Sequence, residues 1–274
     1  MKNKVLSIMN EKGGVGKTTT ATTLAYLLSK QGFKTLIIDY DPQANTTMSF
    51  GVENYNYLPI TMYELMDNVI KNEKRLEKER VFFNKSDYII PVNKYLDLIP
   101  SNSGLSNLET LLLSSIIPET KLKTFIDEIK SDYDYVIIDN KPSLGKDVIN
   151  AMVASDEIII PTTADLFSVA GLNELIQHII YVKNVNTALK ISGFLITKLE
   201  QNTNLNRLVK EKLEETYGQD FYVFKSTIPK SIKVAEAQYF NKTLYEYSGT
   251  KDTSVAKAYL DFVNEYLSLE VSHE

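Results

Sequence analysis

The segment Asn10-Glu11-Lys12-Gly13-Gly14-Val15-Gly16-Lys17-Thr18-Thr19 constrains this chain more than any other stretch. An apolar run of strand length, residues 5–9, precedes it. Residues 18–31 follow, with Ala21, Leu24, Leu27 and Leu28 at helical spacing before Gly32 ends the pattern. A strand, a glycine-rich turn and a helix in that order build a phosphate cradle. The glycines let consecutive backbone N–H groups converge on phosphate oxygens, and the helix N-terminus adds the positive end of its dipole. Lys17 is then placed to reach the β- and γ-phosphates, and the Thr18 hydroxyl to ligate Mg²⁺. A mere glycine-rich turn with incidental lysines leaves the strand and helix on either side unexplained.

Further apolar runs of strand length fall at 35–39, 95–99, 135–139, 157–161 and 191–197, with another at 221–228. Helical spacing recurs at 171–182, 205–217 and 254–267. Strands apolar on both faces, alternating with helices, predict the α/β class: a doubly wound, mainly parallel sheet flanked by helices, with residues 1–274 as a single domain. Residues 51–93 are charged and rich in Tyr and Asn, and they predict an insertion with two surface helices.

A chain of 274 residues can bury a sizeable core without covalent staples. It contains no cysteine, which excludes disulfides, zinc–thiolate sites and iron–sulfur clusters on this chain. The formal charge of −5 argues against a wholly basic nucleic-acid coat but leaves room for a local basic face. No run approaches the roughly 18 apolar residues of a membrane span. Met1-Lys2-Asn3-Lys4 leads into an apolar run that breaks at Asn10, so no signal peptide is expected and a cytoplasmic protein is. His178 and His273 stand isolated, with no metal or triad spacing.

Two strand ends carry carboxylates. Leu36-Ile37-Ile38-Asp39-Tyr40-Asp41-Pro42-Gln43-Ala44-Asn45 closes one strand with a pair, and Tyr135-Val136-Ile137-Ile138-Asp139 closes another. Carboxylates beside a γ-phosphate can hold a water in line or support a metal shell, and the alternative is that Asp39 and Asp41 cap the following turn.

The phosphate loop departs from the general Walker A pattern. Glu11 occupies the first glycine position, and Lys12 precedes a Gly-Gly pair. This deviant form resembles the ParA/MinD/nitrogenase-iron-protein class, and the likeness runs along nearly the whole chain, least securely at 51–93. It implies that ATP and Mg²⁺ are the cofactors and that Lys12 reaches phosphates across a dimer interface. It implies a nucleotide site of Lys12, Gly13, Gly14, Val15, Gly16, Lys17, Thr18 and Thr19, with Lys12, Lys17 and Asp41 catalytic. Asp41 orients the attacking water, and Thr18, Asp41 and Asp139 serve the metal. After Asp139 the class usually has a small residue and Pro-Pro, whereas this chain has Asn140-Lys141-Pro142. Ile160-Pro161-Thr162-Thr163-Ala164-Asp165 resembles the strand that follows, and Ile228-Pro229-Lys230-Ser231 resembles the adenine segment, which puts Pro229 and Ser231 near the base.

The class divides by what its ATP-bound dimer holds. The tail from Asn264 to Glu274 is acidic, unlike a basic membrane-targeting helix, so no membrane partner is expected. Cluster cysteines are missing, and the phosphate loop starts about ten residues in, with no DNA-reading domain expected before it. The short ParA type is left: an ATP-dependent homodimer on non-specific DNA at the nucleoid, released when a ParB-like centromere-binding protein stimulates hydrolysis. Lys198, Arg207, Lys210, Lys212, Lys230 and Lys233 are the candidate DNA-phosphate contacts, with Lys230 and Lys233 at basic family positions and Asn202 where the family often has Arg. Two other readings stay open: a positioning ATPase for a protein cargo, and a nucleotide-binding scaffold with little turnover.

Overall fold

The computed structural model describes residues 2–164, 166–200, 204–248 and 253–272. Its strands are β1 (Lys4–Ile8), β2 (Thr35–Tyr40), β3 (Ile90–Asn93), β4 (Leu96–Ile99), β5 (Tyr135–Asn140), β6 (Glu157–Thr163) and β7 (Lys190–Thr197). The α-helices in the first half of the chain are α1 (Lys17–Lys30), α2 (Asn45–Ser49), α3 (Met62–Glu73), α4 (Leu108–Leu112) and α5 (Lys121–Ile129). Those in the second half are α6 (Lys146–Ala154), α7 (Leu166–Val182), α8 (Asn204–Tyr217), α9 (Ile232–Tyr239), α10 (Leu244–Ser248) and α11 (Ser254–Ser272).

The strands form one sheet in the order β3-β4-β2-β5-β1-β6-β7, parallel except for β3 against β4. Side chains alternate across it, as the two-residue period of a strand requires. Leu36, Ile38, Val136 and Ile138 join the core under α3 and α5–α7. Leu6, Ile8, Ile37 and Ile137 join the core under α1 and α11. The chain crosses from β1 over β5 to β2, so the loops after β1, β2 and β5 emerge together at the carboxyl edge. In an open α/β sheet that is where a ligand site forms.

Two expectations change. The run at 221–228 is not a strand. Its backbone follows β7 with N–H bonds from Phe224 to the Phe194 carbonyl and from Ile228 to the Ile196 carbonyl, at 3.0 and 2.8 Å. Between them, the Lys225 and Ser226 amides turn instead to the Glu265 carboxylate of α11, at 2.7 and 2.8 Å, and only isolated bridges remain. The stretch 51–93 holds one α-helix rather than two on the surface. Thr61 and Glu64 box its N-terminus, and Met62, Leu65, Met66 and Ile70 bury one face of α3 in the core. The stretch ends in β3, the sheet's edge strand, where Pro91 is tolerated because an edge leaves one row of amides unpaired.

The far, amino-terminal edge of the sheet is tied to α11 by a buried carboxylate. Glu270 accepts from Tyr135 Oη at 2.5 Å and Tyr266 Oη at 3.2 Å, and it pairs with Lys4 and Lys2 at 2.5 and 3.1 Å. Burial opposes its charge, but the bonds from Lys4 and Tyr135 outweigh that and hold it below the usual carboxylate range. Glu270→Ala strands the Tyr135 hydroxyl and leaves Lys4 and Tyr266 with Glu157 alone. It is expected to cost about 2–4 kcal/mol in urea unfolding, and a loss under half a kilocalorie would show that α11 docks by apolar contact alone.

Candidate functional site: the phosphate loop and its carboxylates

The phosphate loop is pinned at both ends. Asn10 Nδ2 donates to the Pro161 carbonyl at 2.8 Å, and its Oδ1 accepts the Lys12 N–H at 3.0 Å. Val15 is fully buried, and its carbonyl accepts from Thr197 Oγ1 at 2.7 Å, which fixes the loop to the end of β7. Gly14 and Gly16 adopt φ of 74° and 92°, conformations that cost a side-chain-bearing residue energy, so glycine is required there. Gly16 also caps α1, whose first-turn amides are left for an anion. Space above Gly13 is open, with no heavy atom within 4 Å of where a Cβ would stand.

Lys17, almost wholly buried, arches back over the loop, and its Nζ donates to the Lys12 carbonyl at 3.0 Å. Burial pulls its ammonium below the ordinary lysine value, while Asp139 and Asp41 oppose that shift. A lysine so placed is desolvated and pre-aimed, which favours an anionic ligand over water.

The two carboxylate strand ends meet here, because Asp39 and Asp139 are direct neighbours in the β2–β5 register. Both are completely buried. Asp39 accepts from the Thr47 N–H and hydroxyl, each at 2.7 Å, and from the Asp41 N–H at 3.2 Å. Burial and the Asp139 charge push its carboxyl up to about 8, against the pull of those donors. Asp139 Oδ2 accepts from Thr46 Oγ1 at 2.8 Å, whereas its Oδ1 is buried without a hydrogen-bond partner. Burial pushes this carboxyl up to about 6, against the Thr46 and Thr18 hydroxyls, while Asp41 adds to the rise and Lys17 subtracts from it. An orphaned buried carboxylate oxygen beside a threonine hydroxyl and a second carboxylate is the donor set a hard divalent cation such as Mg²⁺ takes. Asp41 is the least buried of the three and accepts the Gln43 N–H at 2.8 Å through Oδ1.

These groups open into a cleft of about 400 Å³ lined by Gly14, Gly16, Lys17, Thr18, Thr19 and Asp41 from the expected set. The structure therefore brings the phosphate-loop residues together with Asp41 and Asp139. Pro229 and Ser231 do not line this cleft. Pro229 bridges to Leu199, and Ser231 caps α9 by accepting the Lys233 N–H at 3.2 Å, while Val234, Gln238 and Asn241 reach the cleft from that region. Val234 and Gln238, four residues apart, share one face of α9, and Asn241 follows in the turn after it at φ 50°. Thr46 and Thr47, which hold Asp139 and Asp39, were unmarked. Their signal was a pair of hydroxyls one short turn, Pro42-Gln43-Ala44-Asn45, beyond a run ending in two acids.

Lys141, at the departure after Asp139, is clamped by Glu109 of α4 at 2.9 Å and Asp147 of α6 at 2.5 Å. Burial alone lowers its ammonium, but those two bonds outweigh it and hold the ammonium above its usual value. The unexpected lysine thus braces the loop that carries Pro142 into the cleft.

Most of the cations expected on DNA have an acid beside them. Lys230 pairs with Glu200 at 2.7 Å, Lys233 with Glu236 at 2.8 Å, Arg207 with Glu211, Lys210 with Glu214 and Lys212 with Glu215. Lys198 lines the phosphate cleft. Asp165, Asn202 and His273 lie outside the described residues. No helix among the described residues is long and apolar enough to cross a membrane.

A glycine-rich loop between β1 and α1, a buried lysine over it and a strand-end aspartate beside it define a P-loop nucleoside triphosphatase. Residues 3–191 match the family described as AAA domain. The chain is 34% identical over 265 residues to the sporulation initiation inhibitor protein Soj of Bacillus subtilis, covering 96% of this chain and 97% of Soj. Among solved structures it resembles a putative plasmid partition protein from Borrelia burgdorferi bound to AMPPNP, at TM-score 0.73 and 30% identity over 97% of this chain and 98% of that one. Cobyrinic acid a,c-diamide synthase from Mycobacterium smegmatis with bound ADP and magnesium superposes at TM-score 0.80 and 26% identity, over 99% and 96% of the two chains. The chain belongs to the ParA-type partition ATPase family.

Proposed function

We propose that this chain is a Mg²⁺-dependent ATPase that works as a dimerisation switch in DNA partition. ATP closes two copies into a nucleotide-sandwich dimer, the dimer holds DNA without reading its sequence, and a ParB-like partner stimulates hydrolysis and release. The observation that carries this reading is the loop itself. Lys17 is bonded back to the Lys12 carbonyl while Gly13 leaves open space above it, so a second backbone has room to approach. The loop amides and Lys17 bind the phosphates, Thr18 and Asp139 hold magnesium with Asp41 nearby, and Asp41 orients water. A bound Mg²⁺ would neutralise charge on the transferring phosphoryl group.

In light scattering, ATP is expected to double the particle mass of the wild type, while Lys12→Ala binds nucleotide and stays monomeric. ATP-dependent dimers of Lys12→Ala would remove Lys12 from the interface. Gel shifts at low salt test the DNA half, with retention expected to fall steeply as salt rises. A second reading, a positioning ATPase for a protein cargo, is favoured by the acid beside each of Arg207, Lys210, Lys212, Lys230 and Lys233. Failure of the ATP dimer to shift DNA at any salt would select it.

A further inference from the structure

Lys198 directly follows β7, and three observations single it out. Its backbone is left-handed, with φ 55°, a conformation that a lysine adopts only at a cost. Its neighbour Thr197 holds the Val15 carbonyl and lies 3.8 Å from where a Gly16 Cβ would stand, so Lys198 leaves the sheet right behind the phosphate loop. Finally, Lys198 lines the cleft, and among the described residues no acid pairs with it, unlike the other five basic candidates. Asn241, the other left-handed non-glycine residue of the cleft wall, needs no such account, because asparagine tolerates that region.

We propose that Lys198 is a nucleotide-binding residue, its ammonium taking the phosphate chain of a nucleoside triphosphate as a second cation beside Lys17. The strained backbone at the end of β7 is the device that turns the lysine into the cleft. Lys17 is buried and committed to the loop, whereas Lys198 is exposed, so it adds charge without needing to be desolvated in the empty site. The assignment rests on the nucleotide-binding reading above.

The test is calorimetric titration with AMPPNP and with adenosine, beside thermal melts of the nucleotide-free protein. Lys198→Gln is expected to bind AMPPNP about ten- to a hundredfold more weakly, bind adenosine as the wild type does, and be rescued by Lys198→Arg. Lys198→Gly should lose the same affinity yet melt no lower than the wild type, and up to about 3 °C higher, because glycine relieves the left-handed strain. A purely structural lysine gives the opposite pairing, a lower melt with affinity intact, and that result overturns the proposal. Equal AMPPNP affinity with loss of DNA retention makes Lys198 a DNA contact and overturns it as well. A wild type that does not bind AMPPNP sinks the nucleotide reading itself, whereas a wild type that binds alongside an unaffected Lys198→Gln sinks this assignment alone.

Discussion

Asp139→Asn is expected to raise the thermal stability of the nucleotide-free protein at pH 8 while abolishing its Mg²⁺-dependent hydrolysis. The carboxyl is fully buried, its Oδ1 has no partner, and Asp41 lies close enough to disfavour its charge. Its folded-state value of about 6 lies above the ordinary 3.8, so ionising it costs stability. That cost is absent below about pH 4, where both states are protonated, grows through pH 4–6, and is constant above. A shift of roughly two units corresponds to about 3 kcal/mol. The asparagine N–H inherits the unpartnered position and offsets part of this, so a gain of about 1–3 kcal/mol is expected at pH 8. Melting curves of both proteins from pH 4.5 to 8 should diverge as pH rises, and Asp39 widens the gap, because the variant removes the Asp139 charge that helps to push the Asp39 carboxyl up to about 8. Adding Mg-ATP should reverse the order, because only the aspartate supplies an anionic ligand. A variant less stable than the wild type at every pH would mean that Asp139 is a structural hydrogen-bond acceptor and not a charge held ready for a cation.

The contrast between Asp139 and its surroundings shows what a sequence of this kind exposes. β1, its loop and α1 were legible because local chemistry dictates them: only glycine adopts the left-handed turns at 14 and 16, and only a helix start leaves amides for phosphate. The position of Asp139 at the carboxyl edge was legible because it closes an apolar run of strand length. What failed was set at long range. The run 221–228 has strand composition, yet Glu265, about 40 positions later, captures two amides and ends the ladder. Residues 51–93 look polar by content, yet α3 offers four apolar side chains at helical spacing to a core built from β2, α4 and α5. Lys198 looked like one more surface cation. Its placement depends on β7 pairing with β6, one strand beyond β1, and on a backbone angle that no residue type announces. Pro229 and Ser231 do not line the cleft, where Val234 and Gln238 of α9 and Asn241 beyond it stand instead.

Asp41→Ala is expected to lower kcat by about 10²–10⁴-fold while leaving the affinity for ATP within about threefold of the wild type. The phosphate loop, Lys17 and Asp139 are untouched by the change, so binding survives. If anything, removing one of three clustered carboxylates eases the approach of a polyphosphate. Asp41 serves two ends at once. Its Oδ1 accepts the Gln43 N–H and holds the turn into α2, and the rest of the carboxylate lines the cleft beside Lys17 and Thr18. Alanine therefore also strands one amide, at a cost of about 1 kcal/mol in stability, and a lowered rate alone would not separate the two roles. Asp41→Asn separates them. Its amide oxygen still accepts from Gln43, while its amide group is a far poorer acceptor for a proton from water. Loss of turnover in both variants, with the stability loss confined to alanine, assigns the carboxylate to the attacking water. Near-normal turnover in Asp41→Asn would reduce Asp41 to a turn residue. Under the switch mechanism the chemical defect has a physical consequence that scattering can follow. The ATP dimer of Asp41→Ala should outlast that of the wild type by about the factor lost in kcat, because hydrolysis is the step that opens it.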